Sequence, residues 1–245
     1  MGVGTAALWF VDAVDPSAIL RPGVRSSHDA AAAVARRLHP GLEPDLVGMA
    51  PLTAFGVASE PDRVLVGCFP GVTVVCAAEP ATVRPSTVSE TWRTLSPART
   101  VYLLASEREH AWGAFAQWTD GTLRRSFSAG PTYIFEDEGL PQPWERPFWS
   151  GEHPLRFDGD YPDPQALPFH PQEFADAAGA HWLGVRMIGG AQDGDVDPTS
   201  VLLCDFVMRD PAARSAPNST PASSGTPPTT DDQPRKRGLF RRLVG

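Results

Sequence analysis

Two dipeptides constrain what this chain can fold into more than any other feature. Pro70-Gly71, after Phe69, separates Val64-Leu65-Val66-Gly67-Cys68 from Val72-Thr73-Val74-Val75-Cys76. Asp120-Gly121 separates Ala111–Thr119 from Thr122–Ser128. Pro then Gly suits the central positions of a type II turn, and Asp-Gly suits a two-residue hairpin turn, because both positions tolerate positive φ. The first turn pairs Cys68 with Thr73 and Leu65 with Cys76. Side chains alternate along a strand, so Cys68 and Cys76 point to opposite faces and cannot form a disulfide with each other. Two strands of different sheets remain the alternative there. The second turn pairs Trp118 with Leu123, Ala116 with Arg125 and Ala114 with Phe127. One face then carries Trp118, Leu123, Arg125 and Phe127, and the other carries Gln117 and Arg124.

Around this antiparallel scaffold the remaining elements follow from pattern. Ala6–Val11 is a continuous apolar run and reads as a buried strand. Ser27 or Asp29 caps a helix over Ala30–Leu38, which ends before Pro40-Gly41. A short helix is expected around Val88–Leu95, a strand over Val101–Ala105 and an edge-added strand over Val201–Val207. Pro171 at a first turn, with Glu173 near the positive end, starts a helix that runs to about Leu183. The fold class is therefore α+β: a single antiparallel or mixed sheet built on two hairpins and flanked by two or three helices. Residues 1–210 form the globular domain. Residues 211–245 are Ser/Thr/Pro-rich and read as a disordered tail.

Charge divides along the same boundary. The tail holds six basic and two acidic residues, so the chain's net −8 becomes −12 over residues 1–210. An acidic body repels phosphate backbones, which argues against nucleic acid as its partner. The tail's end is different. Arg237, Arg241 and Arg242 flank Leu239, Phe240 and Leu243, a basic amphipathic pattern suited to weak anionic-membrane contact or to a protein partner. No stretch of about 18 apolar residues exists, so no transmembrane helix is expected. Three cysteines without a secretory leader point to a reducing cytoplasm, peripheral to the inner membrane face if the tail contacts lipid; a basic, disordered solubilising end is the alternative for the tail.

From Glu136 to Asp163 eight acids face Arg146 and Arg156, interleaved with Trp144, Phe148, Trp149 and Phe157. This reads as an ordered irregular loop anchored by aromatics, and loops of that length are commonly functional. Arg125 shares an apolar face in the hairpin register, so its guanidinium needs a carboxylate or a bound anion. Glu136, Asp137 and Glu138 follow closely enough to supply the partner. His153 and His170 each precede a proline. An extended residue whose ring bonds a backbone group is their ordinary explanation, and acid–base or metal chemistry is the alternative.

Other chemistry is poorly supported. Asp193-Gly194-Asp195-Val196-Asp197 and Asp158-Gly159-Asp160 resemble the start of calcium loops, but Pro198 and Pro162 stand where such loops do not tolerate them. Both read as solvated turns. Cys68, among valines, reads as a buried and inert thiol. There is no P-loop, nucleophile elbow, zinc-binding His-Glu-x-x-His or Cys-x-x-Cys. No metal or cofactor is expected.

Gly67–Cys76, Arg99–Leu103, Asp120–Ser126, Trp144–Pro154 and Leu167-Pro168-Phe169-His170-Pro171 together resemble an actinobacterial family defined only as a domain of unknown function. The resemblance covers about residues 4–190 and implies no activity, substrate or catalytic residue. The functional expectation therefore rests on the residues themselves. It is a non-enzymatic binding or interaction protein, its contact surface the acidic aromatic loop 136–170 with Arg125, Glu136, Asp137, Trp144, Trp149, His153 and His170 as candidate contacts. The alternative is a small hydrolase-like or metal-assisted enzyme using His153, His170 and nearby carboxylates.

Overall fold

The computed structural model describes residues 4–60, 62–155 and 164–214. The tail residues Arg237, Leu239, Phe240, Arg241, Arg242 and Leu243, and the Asp158-Gly159-Asp160 turn, lie outside the described residues. Among those described, nine strands form one sheet: β1 (Thr5–Val11), β2 (Glu43–Pro51), β3 (Arg63–Phe69), β4 (Val72–Ala77), β5 (Thr100–Glu107), β6 (Trp112–Thr119), β7 (Thr122–Gly130), β8 (Tyr133–Gly139) and β9 (Leu202–Arg209). The helices are α1 (Pro16–Ile19), α2 (His28–Leu38), α3 (Glu90–Arg93), α4 (Arg146–Trp149), α5 (Pro171–Leu183) and α6 (Pro211–Arg214). The strand order is β2-β9-β3-β4-β1-β5-β6-β7-β8, and every strand pair is antiparallel. None of the described helices is long and apolar enough to cross a membrane.

The centre of the sheet explains the unbroken apolar run at its start. All seven residues of β1 are buried. Ala7, Trp9 and Val11 enter one core and Ala6, Leu8 and Phe10 the other. A strand covered on both faces has no polar side to alternate with. One cover is α2, whose Ala31, Val34, Ala35 and Leu38 pack with Val88, Trp92 and Leu95 against Leu8, Phe10, Val64 and Phe206. The other is α5, which sets Phe174, Ala178 and Trp182 against Leu104, Phe115 and Phe127, helped by 52–59 and 144–149. Full burial of each such side chain contributes about 1.5–3 kcal/mol.

Helix ends follow the sequence signals. Ser27 accepts the Ala30 N–H at the start of α2. Pro171 opens α5, and Gly184 in the left-handed region ends it. The start of α5 presses on β6 at Gly113, where a Cβ would stand 2.3 Å from the Pro171 carbonyl oxygen. Only glycine allows that approach.

Both turn dipeptides close two-residue turns, with Phe69 opposite Val72 and Thr119 opposite Thr122. Asp120 and Gly121 both adopt positive φ, as does Gly71. In the first ribbon Leu65 faces Cys76, Cys68 faces Thr73, and Cys68 and Cys76 join opposite cores. In the second, a bulge between Gln117 and Trp118 on the β6 side makes Arg124 an extra residue. Beyond it Arg125 faces Gln117 and Phe127 faces Phe115, one position away from the expected register. Trp118 and Leu123 consequently join one core while Phe127 joins the other.

Three further expectations are corrected. The sheet is not assembled from two hairpins alone, since β1, β2, β5, β8 and β9 complete it. β9 is not an edge strand: it lies between β2 and β3, with Leu203, Cys204, Asp205 and Phe206 all buried. Glu136, Asp137 and Glu138 belong to β8 rather than to a loop, and β8 is the sheet's edge.

Candidate functional site

Arg125 is fully buried and is an organising charge rather than an open ligand group. Its Nε and Nη2 donate to the two carboxylate oxygens of Glu145 at 2.8 Å each, a bidentate pair between two side chains with no exposure. Nη1 donates to Asp137 Oδ1 at 2.5 Å and to the carbonyls of Ser126 and Glu138. Phe115 and Phe127 flank the guanidinium, each ring centre 5.8 Å away. Burial works against the charge, but the bonds to Glu145 and Asp137 outweigh it and raise the group above its ordinary pKa. The acidic run supplies one partner, Asp137. Sequence reasoning missed Glu145, which also caps its own turn by accepting the Gln142 N–H. Glu136 turns to the other face, where it accepts from Ser86 N, Ser86 Oγ and Ser126 Oγ.

Of the aromatics after β8, Trp144 and Phe148 face inward. Trp144 packs on Phe115, Phe174 and Trp182, and its Nε1 donates to Gln142 Oε1, as does that of Trp182. Phe148 is buried. Trp149 stays partly exposed while its ring lies edge-on to Phe127, Phe169 and Phe174. These rings close the core over α5.

The two prolyl-preceding histidines have separate places. His170 Nδ1 accepts the Gln172 N–H and caps α5, the backbone role expected of it. His153 stacks on Phe148 with ring centres 4.0 Å apart. It borders a cleft of about 540 Å³ that also takes in Glu173, Asp176, His181 and Arg186. Among the described residues no histidine of this cleft hydrogen-bonds a carboxylate. Asp176 is occupied by the N–H groups of Met187, Ile188 and Gly189, and Arg186 is paired with Asp195 at 2.9 Å. Burial raises the pKa of Asp176 and lowers that of His181. In the 193–197 segment, Asp195 and Asp197 also serve their own turns, accepting from Gln192 N and from Thr199.

A second depression has another character. At the end of the sheet where β5 turns into β6 and β7 into β8, a groove of about 400 Å³ is lined by Val83, Trp112, Tyr133 and Phe135, with Glu107 and His110 at its rim. Trp112 is buried and anchored by its Nε1 donating to Ser128 Oγ at 2.8 Å. Tyr133 is 64% exposed, Val83 39% and Phe135 37%. A bulge opposite Ser128 and Ala129 makes Phe135 an extra residue and re-aims its ring, which meets Tyr133 edge-on at 5.2 Å.

The rim is built by local bonds. Glu107 accepts the N–H groups of Glu109 and His110 and bonds His110 Nδ1 at 2.7 Å. Burial works to raise its pKa, but the His110 ring and the two N–H groups prevail and hold it below the usual carboxylate value. Glu107, Glu109 and His110 are also the group of possible metal-ligating side chains that comes together among the described residues. Their mutual bonds close the β5–β6 turn. Of the sequence candidates, Arg125 and Asp137 thus pair between β7 and β8 with Glu136 on the opposite face, Trp144 and His153 border one cleft, Trp149 lies against Phe127, Phe169 and Phe174, and His170 stands at the helix cap.

A family model described as a family of unknown function (DUF6928) matches residues 5–206, from the first residue of β1 into β9. No curated protein and no solved structure matches the chain. Since the match takes in every strand of the sheet, the chain belongs to this family of unknown function.

Proposed function

We propose that this protein is a binding domain whose recognition surface is the apolar groove beside β8. One observation carries the reading: Tyr133, Phe135 and Val83 stand exposed together around a groove floored by the anchored Trp112. Single exposed apolar residues are ordinary, whereas a concave cluster of them marks an interaction site. The volume falls in the range of ligand pockets, and the Glu107–His110 pair adds the few polar groups that orient an occupant. Because Trp144 and Phe148 pack inward and Trp149, though 36% exposed, lies edge-on against Phe127, Phe169 and Phe174, the proposed contact centres on 133–139 rather than on the whole of 136–170.

The test is saturable binding of a neutral apolar dye, N-phenyl-1-naphthylamine, followed by fluorescence. The doubly substituted Tyr133→Ala, Phe135→Ala protein should bind about tenfold more weakly or worse, while its melting temperature stays close to that of the parent. Equal dye binding by the two proteins would overturn the reading.

A further inference from the structure

We infer that the groove's occupant is an extended peptide of alternating apolar and basic residues, which pairs along β8 and adds a tenth strand to the sheet. The inference rests on the binding role proposed for the groove and specifies its partner. A strand at the edge of an antiparallel sheet presents the N–H and C=O of every second residue to the open side. β8 is such a strand, and it carries no proline. After the bulge at Phe135 its pairing with β7 runs uninterrupted from Glu136 to Gly139. That stretch is held from within, since Arg125 bonds Asp137 and the Glu138 carbonyl while Glu136 bonds Ser86 and Ser126. A strand already fixed loses little freedom when a partner pairs with it.

Charge selects the partner. Glu107, Glu109, Glu136, Asp137, Glu138 and Glu145 stand at or beneath this edge and the adjoining turn, against Arg108, Arg124 and Arg125; Asp137 is shared with Arg125 and Glu107 bonds His110, and acid stays in excess. Two copies of β8 meeting antiparallel would bring Asp137 and Glu138 against the same residues of the other copy, and like charges directly opposite are destabilising. A basic strand makes the opposite pairing. Its main chain supplies affinity and its alternate side chains supply specificity, with one apolar side chain seated in the groove against Tyr133, Phe135 and Val83.

The experiment uses the full chain and a fluorescein-labelled peptide of about ten residues alternating leucine and arginine, the length of a strand, read by fluorescence anisotropy. Two control peptides replace arginine by glutamate or N-methylate every second amide. The parent peptide should bind saturably and displace N-phenyl-1-naphthylamine. Each control peptide, and the Phe135→Ala protein with the parent peptide, should bind about tenfold more weakly or worse. Equal binding of the N-methylated peptide would overturn strand addition, and equal binding of the glutamate peptide would overturn the charge argument. Peptide binding untouched by Phe135→Ala would remove it from the groove. If the dye binds and no peptide displaces it, this inference fails while the groove's binding role stands. Loss of dye binding as well as peptide binding would remove both.

Discussion

The two edges of the sheet are closed to very different degrees. β2 contains Pro44 and Pro51, which lack N–H groups, and a bulge between Leu46 and Gly48. Surface ion pairs hold its first residues, Arg36 with Glu43 and Arg209 with Asp45. Leu46, Val47 and Met49 are exposed there, but proline and a bulge are what natural sheets use to stop further pairing. β8 has no proline, a regular stretch after its bulge and an apolar groove beside it. Beneath β8 lies a buried guanidinium; beside β2 the comparable pair, Arg63 with Asp205, is partly open to solvent. Exposed apolar side chains therefore do not separate the edges, and neither does a cavity, since one of about 630 Å³ lined by Val24, Met49 and Leu202 lies beside β2. Available backbone and rigid support do, and on the proposed reading they make β8 the binding edge.

The largest expected effect tests the support. Glu145→Ala leaves Arg125 buried with Asp137 as its remaining carboxylate, and breaking a buried pair costs about 3–5 kcal/mol. Asp205→Ala near β2 should cost less, about 1.5–3 kcal/mol for bonds to a charged group, because Arg63 keeps Glu60 and solvent. Urea denaturation of both proteins checks the order. An equal or reversed order would remove the distinction between the edges.

Binding substitutions should separate the edges next. Leu46→Ser with Val47→Ser should leave dye and peptide binding unchanged, while Phe135→Ala weakens it at a stability cost within about 0.5–1 kcal/mol. A loss of binding from the β2 substitutions would break the comparison.

Acid should loosen the β8 end through Glu107. Its folded pKa lies below the ordinary value, so its contribution is fully present above the unfolded value and is lost as pH falls through the folded one. Glu107→Gln should thus be less stable than the parent at neutral pH, with the gap closing on acidification below about pH 4. A gap that persists in acid would assign the loss to packing instead.

The smallest effect is a control on the sheet's middle. Burial pushes the Cys76 thiol up to about 12 and also raises that of half-buried Cys68. Iodoacetamide should leave Cys76 unlabelled in the native protein and in the Phe135→Ala variant. Fast labelling in the variant alone would mean that the groove substitution opens the sheet.

Much of this architecture was legible in the sequence for local reasons. The turns at Pro70-Gly71 and Asp120-Gly121, the buried run of β1 and the two long helices all carry their signals within a few residues. What was illegible depends on distant neighbours. β2 has two prolines and a glycine and reads as a connection; it is a strand because β9, about 160 residues away along the chain, pairs with it. Arg124 as a bulge residue has no signature beyond its neighbour, yet it moves Arg125 and Phe127 to the other face from Leu123. Glu145 was findable, since Gln142-Pro143-Trp144-Glu145 has the form of a capped turn that places an acid back toward the sheet. Tyr133-Ile134-Phe135 after Gly130-Pro131 likewise had the β-branched and aromatic composition of a strand bounded by a turn.

Hydrogen exchange with mass spectrometry, on the full chain with and without the leucine–arginine peptide, tests the central claim most directly. Bound peptide should slow exchange in peptic fragments covering 133–139 and leave exchange in those covering 43–51 unchanged. Protection of the β2 fragment, or bound peptide with no slowing along β8, would contradict that claim.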